Sequence, residues 1–370
     1  MKYEYWLARI KGIPMKKKCL LRDKLKTAEA VYYIEDTRLQ KLRFLNEQEQ
    51  NRIMQAKKIK NPEAEYEKLR EKGIRFLPWF SPGYPQRLRE IPDFPYALYV
   101  KGKLPDEEGK KVAIVGARRC TPYGEKYAVD FARVLAEHGV EIISGMARGV
   151  DGMGHRGALL GGGRTYAVLG SGVDVCYPKE YIGLYRDILD HGGGIVSEQP
   201  PGTPPFPQNF PARNRIISGM SDTVLVMEAG RKSGSLITVD MALEQGRDVY
   251  ALPGPVNSLM SDGCNRLIRQ GAGVLLSPEE LVKEWNLAAE NETVEEKKRG
   301  SAEGKKTDKN EKMLESPEKL VYSCLGFYPK SIDQLISDTE LSAKELMEHL
   351  VSLELQGYVR EISKNHYVRA

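Results

Sequence analysis

The chain has 370 residues, a hydrophobic fraction of 41% and a formal net charge of +5 at pH 7. This length permits two or three domains with ample core. No apolar run approaches the roughly 18 to 20 residues of a membrane span, and the N-terminus lacks the pattern of a secretion signal. The five cysteines show neither disulfide nor metal-ligand spacing. These features predict a soluble, cytoplasmic protein without a disulfide framework or a zinc site.

The first 70 residues are predicted to form a small helical module. Apolar side chains recur at helical spacing, as in Trp6, Leu7 and Ile10, with basic residues between them. The segment carries 18 basic against 10 acidic side chains. Such an excess is compatible with a solvated surface and supports nucleic-acid binding only weakly. Residues 71–105 contain six prolines, which predict an extended collar rather than helices.

From Lys111 onward, short apolar runs bounded by glycine alternate with helical segments. The runs are VAIVG, EIISG, TYAVLG, GIVSE, TVLVME and DVYALPG. Buried parallel strands have this composition, and their alternation with helices is typical of a doubly wound sheet. The fold class predicted for residues 71–285 is therefore α/β, an extended Rossmann-like domain.

The last part of the chain changes character twice. Residues 286–316 lose hydrophobic periodicity and are predicted to be a disordered linker. Residues 317–370 then read as three helices and a hairpin, which predicts a winged-helix domain. Ser342 and Glu345 form the sequence pattern of a capping box at the start of the longest of these helices.

Two features of the sequence indicate anion binding, a proline-rich arginine motif and the loops at predicted strand ends. Residues 206–217 read FPQNFPARNRII, and their prolines predict that Arg213, Asn214 and Arg215 lie where a loop enters a helix. Helix N-termini and forked arginine donors both suit phosphate. Predicted strand ends nearby add Arg118, Arg119 and Arg148, with glycines that let backbone N–H groups approach a ligand.

Catalytic and cofactor motifs are not evident. The GxGxxG match at residues 152–157 begins several residues after its strand and lacks the acidic ribose partner, which argues against a dinucleotide site. A P-loop motif is missing, and the histidines show no metal-ligand spacing; a lone histidine is more often at the surface or in a cap. No cofactor, metal or catalytic residue is predicted.

The ordered motifs VAIVGARRCTPYG, SGMARGVDGMGHRGAL, AVLGSGVDVCYPKE, FPQNFPARNRIISGMS, SGSLITVDMALEQGRDVYALPG and NRLIRQGA closely resemble the DNA-processing protein A (DprA/Smf) family over residues 75–280. The resemblance implies an extended Rossmann domain that binds single-stranded DNA, with a SAM-like N-terminal module. It further implies a homodimer that protects incoming DNA and helps load the RecA recombinase during natural transformation.

The family pocket, carried over motif by motif, forms one DNA-binding surface. Its members are Arg118, Arg119, Arg148, Lys179, Arg213, Asn214, Arg215, Gly234 and Ser235. Tyr177 and Phe206 are candidates for base stacking, with core packing an equal alternative. The longest C-terminal helix carries Lys344 but also several glutamates, which repel phosphate. A protein contact or weak duplex binding through Lys364 and Arg369 both stay open for this domain.

A different class of function is the alternative. Rossmann-like hydrolases of the lonely-guy type use a glutamate one helical turn after a glycine loop. In this chain Thr238 takes that position, and threonine cannot act as a carboxylate base. Glu198 and Glu228 stand at strand ends, where carboxylates are often partners of arginine or of a helix. DNA binding is therefore preferred over nucleotide hydrolysis.

Overall fold

A computed structural model describes residues 1–58, 61–287, 316–325, 329–339, 341–363 and 365–369. Most of the linker predicted over 286–316 and Lys364 therefore lie outside the described residues. The chain divides into two compact units, which are described separately. One comprises Met1–Arg118 and Ala128–Leu287, and the other Arg119–Tyr127 and Ala288–Ala370. No helix in the described ranges is both long and apolar enough to cross a membrane.

The N-terminal part of the first unit is helical. Its helices are α1 (Lys2–Arg9), α2 (Met15–Leu25), α3 (Ala28–Tyr32), α4 (Asp36–Gln40), α5 (Glu47–Ala56) and α6 (Pro62–Glu71). Local sequence sets several helix starts: Asn46 and Glu49 form a capping box, and Asn61 accepts the Ala64 N–H. Glu4 of α1 binds Arg22 at 2.9 Å and the Tyr96 hydroxyl at 2.6 Å. These bonds join the helices to the sheet that follows.

A nine-stranded, mostly parallel sheet forms the centre of this unit. Its strands are β1 (Arg75–Pro78), β2 (Ala97–Gly102), β3 (Lys111–Val115), β4 (Glu141–Ser144), β5 (Thr165–Val168), β6 (Gly194–Ser197), β7 (Thr223–Val226), β8 (Asp248–Ala251) and β9 (Gly273–Val274). Their order is β1-β2-β6-β5-β4-β3-β7-β8-β9. All residues of β3 to β7 are buried. Strands β4, β5 and β6 follow one another on one side of β3, and β7, β8 and β9 follow on its other side. This reversal of strand order at β3 is typical of a doubly wound fold.

Helices connect the strands. They are α7 (Gln86–Arg89), α8 (Pro122–Glu137), α9 (Val150–Leu160), α10 (Ile182–Asp190), α11 (Asn209–Gly219), α12 (Ser235–Glu244), α13 (Asp262–Arg269) and α14 (Pro278–Glu284), with a 3₁₀ turn at Lys179–Tyr181. The predicted α/β class is confirmed by the topology of this sheet.

The proline-rich collar contributes more to the fold than predicted. Strands β1 and β2 pair antiparallel with each other, and β2 pairs antiparallel with β6, so both extend the sheet. A one-turn helix, α7, follows Pro85. The expectation of extended connections without helices was therefore wrong for α7. Proline is tolerated because Pro78 is the last residue of the edge strand β1 and Pro85 immediately precedes α7.

The glycines of the GxGxxG match serve helix packing. They lie inside α9, and added methyl groups at Gly152 and Gly157 would clash with the Tyr181 ring and the Val129 carbonyl oxygen, respectively. Close approach of α9 to its neighbours therefore requires glycine at these positions. This role agrees with the rejection of a dinucleotide fingerprint.

The second unit contains the predicted winged helix. Its elements are α15 (Ser316–Cys324), β10 (Lys330–Ser331), α16 (Ile332–Thr339), α17 (Ala343–Leu355), β11 (Val359–Ser363) and β12 (His366–Arg369). The strands form an antiparallel sheet in the order β10-β12-β11. Ser342 and Glu345 make the predicted capping box at α17. Leu346, Leu350 and Leu353 bury one face of α17 in the core of this domain.

Candidate nucleic-acid interface

The loops that follow β3, β4 and β7 are packed tightly together at the carboxyl edge of the sheet. The Ala117 N–H donates to the Glu228 carbonyl at 2.7 Å, and the Val150 N–H donates to the Ala117 carbonyl at 3.2 Å. Gly149 has a φ of +73°, and a methyl group there would clash with the Ala117 carbonyl oxygen. The strand order reverses between the neighbouring strands β3 and β7. Doubly wound sheets bind ligands at the carboxyl edge beside such a reversal.

Arg213 lies in the protein interior beneath this edge. Its side chain sits in the second turn of α11, which starts at Asn209 and carries Pro211 in its first turn. The guanidinium donates to the Gly145 carbonyl at 2.6 Å and to the Val168 carbonyl. Burial lowers the pKa of Arg213 to about 10, while the charge of Asp151 opposes that shift. Arg213 therefore joins the ends of β4 and β5, and its predicted contact with phosphate stays a prediction.

Asp151 is the buried acidic counterpart of Arg213. Only 7% of its surface is exposed, and this burial raises the pKa of its carboxyl group. The Arg213 charge and the backbone donors at Ala147 and Gly145 act in the opposite direction. The buried charges of Asp151 and Arg213 thus favour each other's charged form.

Arg215 is held by the carboxylate of Glu198. Its Nη2 lies 2.6 Å from Glu198 Oε2 and its Nη1 lies 3.1 Å from Oε1, a bidentate arrangement. Arg215 Nε also donates to the Asp93 carbonyl at 2.7 Å. Glu198 is accordingly a partner of arginine, as one reading of strand-end carboxylates predicted. Asn214 lies half-buried between the two arginines and accepts a hydrogen bond from Arg213 Nε at 3.2 Å.

An aromatic and cationic cluster lies at the start of α11, with half-buried Phe210 at its centre. The Phe210 ring lies 5.5 Å from the Arg118 guanidinium and 5.6 Å from the Tyr177 ring, measured to ring centroids. Arg118 is exposed, and Tyr177 is 41% exposed. Phe206, predicted as a stacking residue, is also 41% exposed. The prediction passed over Phe210, although it stands between the same prolines as Phe206 in FPQNFPARNR.

Further basic side chains line the same edge. Lys179 is exposed on the 3₁₀ turn, and Arg148 forms an ion pair with Glu180 at 2.5 Å. The hydrogen bond that Arg148 donates to Glu180 raises the pKa of Arg148 and lowers the pKa of Glu180. Arg119, the first residue of the second unit, is exposed, and its role in DNA binding stays a prediction.

The SGSLIT motif, residues 233–238, forms the start of α12, the first helix after β7. Gly234 is the N-cap residue, and the Ser233 and Ser235 hydroxyls lie 2.8 Å apart. A methyl group at Gly234 would meet no atom within 4 Å, so the space beside this helix N-terminus is open. Arg231 and Lys232 precede the motif and are exposed. Sequence reasoning missed both, although their position in the loop that follows the predicted strand TVLVME was the available signal.

The side chains considered for catalysis are occupied or buried. Glu198 binds Arg215 with both oxygens, Glu228 is 1% exposed and Thr238 is 2% exposed. Within the described ranges, no three His, Cys, Asp or Glu side chains are grouped to hold a metal ion. His155 is fully buried, and its Nδ1 lies 2.6 Å from the Thr165 hydroxyl. Burial lowers the pKa of His155 to about 3. The expectation of a surface or capping histidine was wrong for His155, because α9 packs it against the sheet.

In the winged-helix unit, Arg369 interacts with its own domain. Its Nε donates to the Tyr322 carbonyl at 3.0 Å, and its guanidinium lies 4.3 Å from the Tyr322 ring centroid. Lys364, the other wing residue considered for duplex contact, is outside the described residues. These contacts give Arg369 a packing role in the domain.

Comparisons with known proteins agree with this architecture. The family model of DNA recombination-mediator protein A matches residues 75–286, and that of the DprA winged helix domain matches residues 305–363. Protein Smf of Escherichia coli K12 is 38% identical over 301 residues, covering 81% of this chain and 79% of that protein. DNA processing protein DprA of Streptococcus pneumoniae R6 is 44% identical over 202 residues, covering 55% of this chain and 71% of that protein.

Two solved structures are also similar. The X-ray structure of DNA processing protein A from Streptococcus pneumoniae matches with a TM-score of 0.67 and 33% identity, covering 77% of this chain and 98% of that one. A DNA processing protein A structure from Helicobacter pylori, described in terms of its single-stranded DNA binding mode, matches with a TM-score of 0.50 and 30% identity. It covers 58% of this chain and 95% of that one. On its family-model match, its relatives and its fold, this chain belongs to the DNA recombination-mediator protein A (DprA/Smf) family.

Proposed function

We propose that this protein binds single-stranded DNA along the carboxyl edge of its sheet, protects incoming strands and mediates their transfer to RecA during natural transformation and recombination. The strand-end surface is defined here as Arg118, Arg148, Tyr177, Lys179 and Phe210. The observation that carries the proposal is the Phe210 ring between Arg118 and Tyr177. A protein that binds single strands of any sequence needs aromatic rings to stack on the bases. It also needs basic side chains to contact the phosphates.

The other predicted DNA-binding residues divide into two groups. Asn214, Gly234 and Ser235 offer an amide, an open helix N-terminus and a hydroxyl to a phosphate. Arg119 extends the run of cations after β3. Arg213 and Arg215 are proposed to act mainly by positioning α11, since their guanidinium groups are already bound to Gly145, Val168 and Glu198.

A double variant tests the location of this surface. R118A/K179A removes two exposed cations, and each lost phosphate contact lowers the salt slope of single-strand binding by about 0.7. We expect its affinity for single strands to fall by about tenfold or more, equally for different sequences. R186A is the matched control, because Arg186 is exposed on α10. Unchanged affinity in R118A/K179A would remove the strand-end surface from the proposal.

The mediator role needs a partner assay. The description of the matching family as recombination mediators supports it. We expect the protein to accelerate RecA assembly on strands already coated by single-strand-binding protein, and R118A/K179A to lose this effect. Normal strand binding without any acceleration would leave a DNA binder and remove the RecA role.

A homodimer is part of the proposal. Strand β9 is the last strand at one end of the sheet, and Val274 and Leu276 beside it are 43% and 66% exposed. Exposed apolar side chains along an open strand edge favour pairing with a second chain. Light scattering of the wild type and of a V274E/L276E variant tests this, with a dimer expected for the first and a monomer for the second. A monomeric wild type would remove the dimer.

We further propose a cytoplasmic, non-enzymatic role. The engagement of Glu198 by Arg215 and the burial of Thr238 support binding over the alternative of nucleotide hydrolysis. Release of base or phosphate from nucleoside monophosphates by the purified protein, lost in E198Q, would favour the hydrolase instead.

A further inference from the structure

A cleft of about 530 Å³ lies between the N-terminal helices and the segment that connects β6 to α11. Its lining includes Lys11 and Lys18 from the helical module, and Glu198, Gln199, Phe206 and Asn209 from the sheet domain. All of these residues belong to the first unit. A volume in this range is typical of sites that hold small organic ligands.

Lys18 gives the cleft a buried cation. Only 7% of its surface is exposed, and its Nζ donates to the Ala8 carbonyl at 2.6 Å. An ammonium group has three donors, and this is the one hydrogen bond of Nζ within the described part of the chain. Burial lowers the pKa of Lys18 to about 8, and the Glu198 charge counteracts the shift. Lys18 is therefore a buried cation beside a cavity, and some of its N–H donors lack a protein acceptor among the described residues. Such a group is a candidate for binding a ligand.

The acidic side chain in the cleft, Glu198, has an arginine partner of its own. Both oxygens of Glu198 are bound by Arg215, at 2.6 and 3.1 Å. The cleft thus combines a compensated carboxylate with the Lys18 ammonium, the amide of Gln199 and an exposed lysine, Lys11, at its border. A nucleotide matches these groups, because its base offers carbonyl acceptors and an aromatic face, and its phosphate offers a negative charge.

The cleft and the strand-end surface meet at two consecutive residues of α11. Asn209 lines the cleft and donates to the Gly170 carbonyl at 2.9 Å, while the next residue, Phe210, contacts Arg118 and Tyr177. Phe206, 41% exposed, lines the cleft one loop turn earlier. A DNA strand that contacts Phe210 can therefore extend to Phe206 and the cleft.

We propose that this cleft binds one nucleotide of the same DNA strand, with the base beside Phe206 and Lys18 and its phosphate near Lys11. The inference rests on the proposed single-strand binding and adds a second subsite, formed partly by the N-terminal module. That module then contributes to strand affinity and sets a minimum strand length, which the strand-end surface alone would not do.

The first experiment measures the affinity of the full chain for oligonucleotides of increasing length, from about 4 to about 12 nucleotides. K18M removes the cleft donors and keeps the bulk of the side chain, and K16M is the matched control on the exposed side of α2. We expect K18M to bind the longer strands about tenfold more weakly than wild type, the cost of a lost charge-assisted hydrogen bond. We expect no difference on the shortest strands and no effect of K16M.

Photo-cross-linking of the wild type gives a readout that does not depend on how K18M folds. Oligonucleotides with 5-iododeoxyuridine should cross-link to peptides containing Phe206 or residues 8–18, in addition to the peptide of Phe210. Cross-links confined to the strand-end surface would overturn the inference. The inference would also be overturned if K18M and the wild type bound strands of all lengths with equal affinity while R118A/K179A bound them more weakly.

Thymidine monophosphate separates a strand subsite from a pocket for a free nucleotide. If calorimetry shows binding of the monophosphate that K18M abolishes, while both proteins bind all strands equally, the cleft serves a free nucleotide and the inference is overturned. If the wild type binds no DNA strand of any length, both the proposed function and the inference about the cleft are overturned.

Discussion

Arg215 binds both carboxylate oxygens of Glu198 and thereby fixes α11 to the end of β6. The side chains are only 13% and 19% exposed, so water competes weakly for either partner. This ion pair connects the helix that carries Phe210 to the segment after β6, which lines the cleft beside the N-terminal helices. The pair therefore positions both parts of the proposed DNA path.

Breaking this ion pair is expected to cost stability. R215A leaves the Glu198 carboxylate buried without its partner, and we expect a loss of about 3 kcal/mol in the free energy of unfolding. The R215A/E198A double variant should be less destabilised than the sum of the two single variants. Urea denaturation of the four proteins measures the coupling. Additive losses would show that the two side chains do not depend on each other.

Arg213 is expected to affect stability rather than phosphate contact. R213A would leave the Gly145 and Val168 carbonyls without their donor and Asp151 without its cation, so we expect a loss of about 3 kcal/mol or more. At a temperature where the variant is folded, its strand binding should show the same salt slope as wild type. A salt slope lower by about 0.7 would instead place Arg213 directly on a phosphate.

Phe210 is expected to stack a base of the bound strand. F210L retains apolar bulk but loses the aromatic face, and stacking contributes about 1–3 kcal/mol per base. We expect single-strand affinity to fall by about tenfold with little change in the salt slope. F44L is a suitable control, because Phe44 is half-buried like Phe210 and its ring centroid lies 5.0 Å from the Lys24 ammonium. Equal binding by F210L and wild type would show that the ring only packs against Tyr177.

The burial of Lys18 predicts a pH-dependent stability. Its pKa is lowered from 10.5 to about 8 in the folded protein, so between these values the unfolded chain binds the proton more strongly. The contribution of Lys18 to the free energy of unfolding therefore rises with pH across this window. We expect K18M to be more stable than wild type near neutral pH, and this advantage to shrink toward pH 10.5. A constant difference between the two proteins, with K16M as reference, would contradict the buried charge.

The sequence predicted the strands of the sheet well where local pattern decides structure. Runs such as VAIVG and TVLVME are apolar along their whole length because both faces of these strands are buried. Strands β1 and β2 escaped prediction because prolines surround them, and because β2 joins the sheet through β6, which lies about a hundred residues later in the chain.

The candidate surface was predictable in its location but not in the role of each residue. Glycine and arginine after successive strands indicate a ligand at that edge, since parallel strands end together. Whether an arginine meets solvent or protein depends on which carbonyls converge on it. Arg213 is buried because the ends of β4 and β5 both face α11, and the position of Phe210 beside Arg118 arises from the same helix. Neither relationship is encoded in local spacing.

The most direct test of the account is fluorescence-anisotropy binding of the purified wild-type chain to a single-stranded oligonucleotide and to its duplex across a salt titration. We predict preferential binding of the single strand, with an affinity that falls steeply as salt increases. No binding at low salt, or equal binding of strand and duplex, would contradict it.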